Sequence, residues 1–472
     1  MSPPAFAVLG HPNEGKSSVV STLTENERVR VSRTPGETRR CHRFEIARNG
    51  QSALEIFDTP GFENPAATLA WFQAWTGPEE ALIPAFIEAH RDRPDFRNDL
   101  ELLEPLRRRA GILYVADPSR PLREVDRQEM ELLRLTGLPR LALLNAKRDN
   151  DSFLPAWREA LNRRFNLVRD FNAHRATFPE RIALLEALAV LDPRSEAALR
   201  DLCRDLRQDW EQRLHAAALG IETLLQRVIR HQVRARIHPE RPEPEQAAAL
   251  LDLYQRELRG LEQDARREWR ALFQHLDLPG GDGNTLVMED LFATRVWRLL
   301  GLSRRQIAGM AATTAALLGV GVDIAAGGIT FGVFTAAGAL IGGIAGWIGA
   351  PRLGLKKLPL PGGRHLARET LHAGPCHNLP FLFVLLDRSL LYLVRLMNWS
   401  HGRRDHEAFL AGFGNDPGFV RSWSDDERAQ LARWLAAQRP GPRSPDPAVC
   451  SRDLQALLRR VLAQASGIPP RK

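Results

Sequence analysis

At 472 residues the chain exceeds one ordinary domain, and two or three are expected. Lys and Arg number 65 against 57 Asp and Glu, a net charge of +8 that is modest for the length. Nearly all of the basic residues are Arg, since Lys stands only at positions 16, 147, 356, 357 and 472. With no Lys/Arg-rich block and no interleaving of basic and aromatic residues, no specific nucleic-acid partner is predicted. Cys41, Cys203, Cys376 and Cys450 are scattered without a C-x-x-C, so neither a disulfide framework nor a cysteine zinc site is supported, which suits a reducing cytosol. The N-terminus lacks the basic start and apolar run of a signal peptide, and the N-terminal domain is expected to face the cytoplasm.

The first element is an apolar strand, Ala5 to Leu9. It runs into Gly10-His11-Pro12-Asn13-Glu14-Gly15-Lys16-Ser17 and then into a helix from Ser18 to Thr24. Strand, G-x-x-x-x-G-K-S loop and helix are the context of a phosphate-binding loop. Backbone N–H groups over Asn13, Glu14, Gly15, Lys16, Ser17 and Ser18, together with the positive end of the helix, face an anion there. The Lys16 ammonium reaches the β- and γ-phosphates, and the Ser17 hydroxyl ligates Mg²⁺. A second strand, Leu54 to Phe57, closes on Asp58-Thr59-Pro60-Gly61. That D-x-x-G places Asp58 to hold Mg²⁺ through water and the Gly61 N–H to sense a γ-phosphate. Between the two motifs, Thr34-Pro35-Gly36-Glu37-Thr38 supplies Thr38 as a Mg²⁺ ligand that engages only when the γ-phosphate is present.

These three motifs in order resemble the translation-factor class of small GTPases, specifically the Era-like and TrmE-like group, over about the first 150 to 180 residues. The resemblance implies an α/β P-loop GTPase domain over residues 1–178, with a mostly parallel sheet and flanking helices. It implies GTP and GDP as ligands and Mg²⁺ as cofactor, with Lys16 and Thr38 as the catalytic side chains. Asn13 stands where that group ligates K⁺ beside the phosphates; it is equally a turn-forming residue after Pro12. Phe62 follows D-T-P-G, where Ras-type proteins carry a water-orienting Gln. An apolar residue cannot orient water, so hydrolysis is expected to be slow, or to draw on K⁺, a partner or dimerisation.

The base-recognition element departs from the group. The strand Leu141 to Leu144 ends at Asn145, but Ala146-Lys147-Arg148-Asp149 follows in place of K-x-D. Either a one-residue bulge lets Lys147 and Asp149 do the usual work, or Asn145 alone remains and guanine specificity weakens. Phe171-Asn172-Ala173 is a faint match to the last base-contacting loop. An insertion over about residues 62–110 separates D-T-P-G from the strand at Gly111 to Ala116. Its Leu69, Phe72 and Trp75 spacing predicts one or two amphipathic helices. They either relay the nucleotide state to a protein partner or bury their aromatics on the domain.

From residue 179 to 305 the pattern is helical and charged. Leu202, Leu206, Trp210 and Leu214 recur on one stripe, as do Leu250, Leu253, Tyr254, Leu258 and Leu261. The segment Ile307 to Ala350 holds a single charge, Asp323, and glycines four apart at 338, 342 and 346, with Arg304 and Arg305 before it and Arg352, Lys356 and Lys357 after. Two readings stay open for this 306–350 hairpin. One inserts it into a membrane from the cytoplasmic side, with Asp323 near its turn. The other buries a Gly/Ala hairpin in the core of an otherwise all-α C-terminal region. In the last segment, 351–472, Phe381 to Leu396 is an apolar run broken by Asp387, Arg388 and Arg395, which predicts a buried helix with an ion-pairing face. The hairpin and this run resemble an uncharacterised C-terminal domain of unknown function found fused to Era-like GTPase domains in bacteria. The combined expectation is a GTP-binding switch and slow GTPase at the cytoplasmic face of the inner membrane, with an unidentified protein partner. The alternatives are a ribosome- or RNA-assembly GTPase, or a nucleotide-binding scaffold with little turnover.

Overall fold

The computed structural model describes residues 3–27, 40–48, 50–147, 150–238, 240–276, 278, 291, 296, 300, 352–359, 365–403, 409, 418–439, 441 and 444–467. They divide into two units. One holds described residues of 1–211, 274–277 and 397–405, and the other those of 212–273, 278–396 and 406–472.

The first unit is built on β1 (Ala5–Leu9), β2 (His42–Arg48), β3 (Gln51–Asp58), β4 (Gly111–Ala116), β5 (Arg140–Leu144) and β6 (Leu167–Asp170). They form one sheet in the order β2-β3-β1-β4-β5-β6. Only the β2–β3 pair is antiparallel; β1 lies parallel between β3 and β4, with Val8 level with Asp58 on one side and Leu113 on the other. Such central parallel strands are covered on both faces and so read as unbroken apolar runs. Gly-Ile-Leu-Tyr-Val-Ala of β4 is buried at every position. The chain passes from β3 on one side of β1 to β4 on the other, and the carboxyl ends of these parallel strands lie where ligands bind in such sheets. This is the expected α/β domain with a mostly parallel sheet and flanking helices.

The insertion forms three helices rather than one or two: α2 (Pro65–Ala74), α3 (Leu82–His90) and α4 (Arg97–Arg107). Prolines set their starts, with Pro65 at the first turn of α2 and Pro94 opening the turn ahead of α4. Phe72, Phe86, Phe96, Leu102, Leu103 and Leu106 are buried in the same core as Ala7, Leu9, Ile112 and Tyr114. The aromatics are therefore packed on the domain. The unit also includes α1 (Lys16–Thr24), α5 (Glu124–Leu135), α6 (Leu154–Asn162) and α7 (Phe178–Leu191). It continues past residue 178 into α8 (Glu196–Arg230).

The second unit is mainly helical. It contains the later part of α8, then α9 (Glu243–Leu272), α10 (Leu379–Met397), α11 (Asp425–Ala437) and α12 (Pro447–Ala465). It also carries a small antiparallel sheet that the all-α expectation lacked: β7 (Val233–Arg236), β8 (Arg352–Pro359) and β9 (His365–Ala373), in the order β7-β9-β8. A four-residue strand pairing with a segment more than a hundred residues later leaves no local periodicity to read. The apolar run of α10 is a buried helix with an ion pair: Arg388 donates to both Glu262 carboxylate oxygens, at 2.8 and 3.1 Å. Asp387 accepts from the Val420 N–H at 2.9 Å. Among the described residues no helix is long and apolar enough to cross a membrane. The 306–350 hairpin lies outside the described residues.

Candidate nucleotide-binding site

The loop after β1 turns through Asn13, whose φ of 67° is left-handed, a conformation that Asn tolerates better than most residues. Asn13 is exposed, as suits a turn former. Gly15, at φ 94°, caps α1. A Cβ there would fall 2.4 Å from the Asn145 side-chain nitrogen, so only glycine lets the two loops meet. Lys16 and Ser17 occupy the first turn of α1 and Ser18 is buried behind them.

Lys16 Nζ bridges the loop, donating to the Gly10 carbonyl at 2.8 Å and the His11 carbonyl at 3.1 Å. Burial lowers its pKa, opposed by the charge of Asp58. Ser17 Oγ donates to Asp58 Oδ2 at 2.8 Å. Burial raises the Asp58 pKa, and its second oxygen is buried without a hydrogen-bond partner among the described residues. A hydroxyl and an orphaned carboxylate oxygen side by side, with an ammonium close by, fit a hard dication bound beside an anion. The donor set therefore suits Mg²⁺ and a phosphate. Thr59 Oγ1 donates to the Val8 carbonyl at 2.7 Å and fixes the end of β3 against β1. Gly61 passes close to the loop, where a Cβ would sit 2.7 Å from Pro12 Cδ. Phe62 turns inward and joins the apolar core.

On the opposite side Asn145 ties three segments together. Its Nδ2 donates to the Glu14 carbonyl at 2.8 Å, and its Oδ1 accepts from the Ala173 N–H at 3.0 Å. Asn172 Nδ2 donates to the Ala146 carbonyl at 2.9 Å, so the faint Phe171-Asn172-Ala173 motif does reach the site. The Lys147 N–H donates to Asp117 Oδ1 at 3.3 Å, and its Cε lies 3.8 Å from where a Gly15 Cβ would be. The extra Ala146 thus does not carry Lys147 away from the phosphate loop. Thr38 and Asp149 lie outside the described residues.

Sequence reasoning missed the group that manages Glu14. This carboxylate belongs to the anion-binding loop and is buried, and burial pushes its pKa up. Arg120 meets it with two bonds, at 2.8 and 2.5 Å, and holds Asp126 with two more at 2.7 Å. The guanidinium lies 4.9 Å from the Trp157 ring centre, and the Arg120 carbonyl accepts from Trp157 Nε1 at 2.8 Å. A charge of the wrong sign in the loop is in this way neutralised from within the domain. The one available signal was position: Asp117 to Arg120 immediately follows β4 at the carboxyl edge of the sheet.

The family described as 50S ribosome-binding GTPase matches residues 5–146, and that described as a domain of unknown function, DUF3482, matches residues 158–461. The probable GTP-binding protein EngB of Burkholderia thailandensis is 27% identical over 173 residues, which cover 33% of this chain and 68% of that protein. EngB of Neisseria meningitidis serogroup C is 30% identical over 146 residues, 30% of this chain and 58% of that one. These relatives are matched over roughly two-thirds of their own length or less, and they leave most of the present chain uncovered. Era bound to MgGDPNP and a 16S ribosomal RNA segment overlaps 58% of this chain and 90% of its own at 14% identity, with a TM-score of 0.28. NFeoB from S. thermophilus, bound to GDP.AlF4⁻ and K⁺, overlaps the same shares at 18% identity and a TM-score of 0.26. Scores that low carry no weight beside the strand order.

Proposed function

The chain belongs to the DUF3482 family and carries a GTP-binding P-loop GTPase domain ahead of it, and from that premise we propose that it is a slow guanine-nucleotide switch. The observation that carries this reading is the 2.8 Å pairing of Ser17 Oγ with Asp58 Oδ2 beside the loop-spanning Lys16 ammonium. When bound, Mg²⁺ supplies charge neutralisation on the phosphates. Ser17 and Asp58 would hold that ion, Lys16 would hold the phosphate oxygens, and loop N–H groups from Asn13 to Ser18 would complete the cradle. Thr38 would be the Mg²⁺ ligand that depends on the γ-phosphate, and the Gly61 N–H would sense that phosphate. Lys147 lies against the phosphate loop, which favours the bulged reading in which Asp149 reaches guanine. Slow turnover follows from the buried Phe62, which offers no polar atom to an attacking water.

Calorimetry on the full chain with Mg²⁺ tests the core of this reading. Lys16→Ala is expected to abolish GTP and GDP binding; full-affinity binding by that variant refutes the assignment. A preference for GTP over ATP of a hundredfold, about 2.7 kcal/mol, is expected if Asp149 reaches the base, and equal affinity would leave Asn145 alone at that end. If Asn13 takes K⁺, single-turnover hydrolysis is faster in K⁺ than in Na⁺.

The basic flanks of the 306–350 segment support attachment of this switch to the cytoplasmic face of a membrane. Flotation with anionic vesicles, lost on deletion of 306–350, is the expected result. A second reading, action on ribosomal particles, is favoured by the description of the family matched at residues 5–146. GTP-dependent co-sedimentation with large ribosomal subunits would select it.

A further inference from the structure

A second constellation stands apart from the phosphate loop within the same unit. Glu27, just beyond α1, meets His275, beyond α9, and His401, beyond α10. One ligand-capable atom of each lies within 4.8 Å of the other two. Both histidines are buried and Glu27 is half-buried. His275 Nδ1 sits 3.0 Å from Glu27 Oε1, and the two imidazoles stack with ring centres 4.0 Å apart and planes 16° from parallel. We propose that Glu27, His275 and His401 bind a transition-metal dication of the zinc class.

Two imidazoles and one carboxylate form a donor set suited to Zn²⁺, Co²⁺ or Ni²⁺, whereas Mg²⁺ and Ca²⁺ favour oxygen throughout. Three protein ligands leave a fourth position for water. The metal requires its imidazole ligands in the neutral form. Glu25, the other carboxylate at this place, is paired with the buried Arg181, and Glu27 is the carboxylate whose oxygen groups with both imidazoles. In-plane lone pairs of parallel rings run side by side, so binding an ion through both requires one imidazole to turn out of the stack. No motif announces the site, because His275 lies 248 residues from Glu27. Its ligands come one from each of the three chain segments that make up this unit, 1–211, 274–277 and 397–405. A bound ion would cross-link all three, at the residue where the chain sets out from α1 toward the Thr34–Thr38 motif.

The test uses full-length protein stripped of metal and free of nucleotide, titrated with Co²⁺ and then with Zn²⁺. One equivalent of Co²⁺ is expected, with the visible absorption of a four-coordinate site, displaced by Zn²⁺ and unaffected by Mg²⁺. Loss of even an outer-shell partner costs a metal site about 10–100-fold. His275→Gln and His401→Gln should therefore each weaken binding by about a hundredfold or more, while Ser17→Ala, at the other ion-binding position, keeps the signal. Equal binding in wild type and both histidine variants, or loss of the signal in Ser17→Ala alone, overturns the proposal, as does a wild type that takes up neither metal. Should the histidine variants not fold, two measurements decide it. X-ray absorption of the Zn²⁺-loaded wild type must show two imidazole scatterers, and Glu27→Gln must weaken binding; failure of either refutes the site.

Discussion

Asp99 shows how a single carboxyl can couple the insertion to the switch strand. It sits in the first turn of α4, fully buried, and accepts from the Asn64 N–H at 3.2 Å just beyond D-T-P-G. Its other oxygen has no hydrogen-bond partner among the described residues. Burial pushes its pKa from 3.8 up to about 6. Because the folded value is the higher one, the folded state binds the proton more tightly. The contribution to stability is fully present below about pH 4 and is lost as pH rises through 6, on the order of 3 kcal/mol if the whole shift is realised. The Asp99→Asn variant keeps an acceptor for Asn64 and carries no charge. In urea titrations the difference in midpoint between variant and wild type should grow in favour of the variant between pH 4 and pH 7. A difference that stays constant over that range would remove Asp99 from the argument. The same scale explains why Arg120 escaped a reading by motif. Its partners Glu14 and Asp126 are ordinary acidic residues in sequence, and only burial makes their neutralisation necessary.

At the level of elements, apolar periodicity carried far. The strands at Ala5–Leu9 and Gly111–Ala116 and the buried helix at Leu379–Met397 are legible because continuous apolar runs bounded by loops have few other destinations. The ion-pairing face of α10 was legible too, since Asp387, Arg388 and Arg395 interrupt the run; the partner was not. Glu262 on α9 receives both Arg388 and Arg266 in the buried interior of the second unit. Glu262→Gln takes the carboxylate from two buried guanidinium groups. It is expected to destabilise this unit by about 3–5 kcal/mol, read as a lowered denaturant midpoint with unchanged nucleotide affinity. A loss within a few tenths of a kcal/mol would mean that water or other acceptors replace it. The small sheet β7-β9-β8 stayed hidden because its strands are short and pair across long separations, so local spacing carries no trace of them.

For the molecule as a whole, the first unit is not a contiguous stretch. Residues 397–403, deep in the stretch matched by the family of unknown function, return to the GTPase domain. Ser21 Oγ donates to the His401 carbonyl at 2.8 Å, and the Gly402 N–H donates to Thr22 Oγ1 at 3.2 Å. Ser400 Oγ donates to the Ala173 carbonyl, which also accepts from Thr22 Oγ1 at 2.9 Å. The helix that carries Lys16 and the loop bonded to Asn145 thus share a brace from the C-terminal half. Gly402 allows the approach, since a Cβ would fall 2.6 Å from the Ser18 carbonyl oxygen. Gly402→Ala should cost about 1–3 kcal/mol through forced displacement and weaken GTP binding alongside. Wild-type affinity and midpoint in that variant would show the brace to be dispensable.

The sequence by itself determined the phosphate loop, the D-T-P-G strand end and the α/β class of the first domain. Each of these is a local arrangement whose residues lie within a few positions of one another, and loop chemistry and apolar runs are properties of short stretches. Tertiary structure alone decided that Lys147 stays beside the loop despite the extra residue, that Arg120 neutralises Glu14, and that three distant segments converge on Glu27, His275 and His401. Those outcomes depend on which side chains a fold buries together, and the cost of burying unpaired charge acts between segments with no local pattern to announce it.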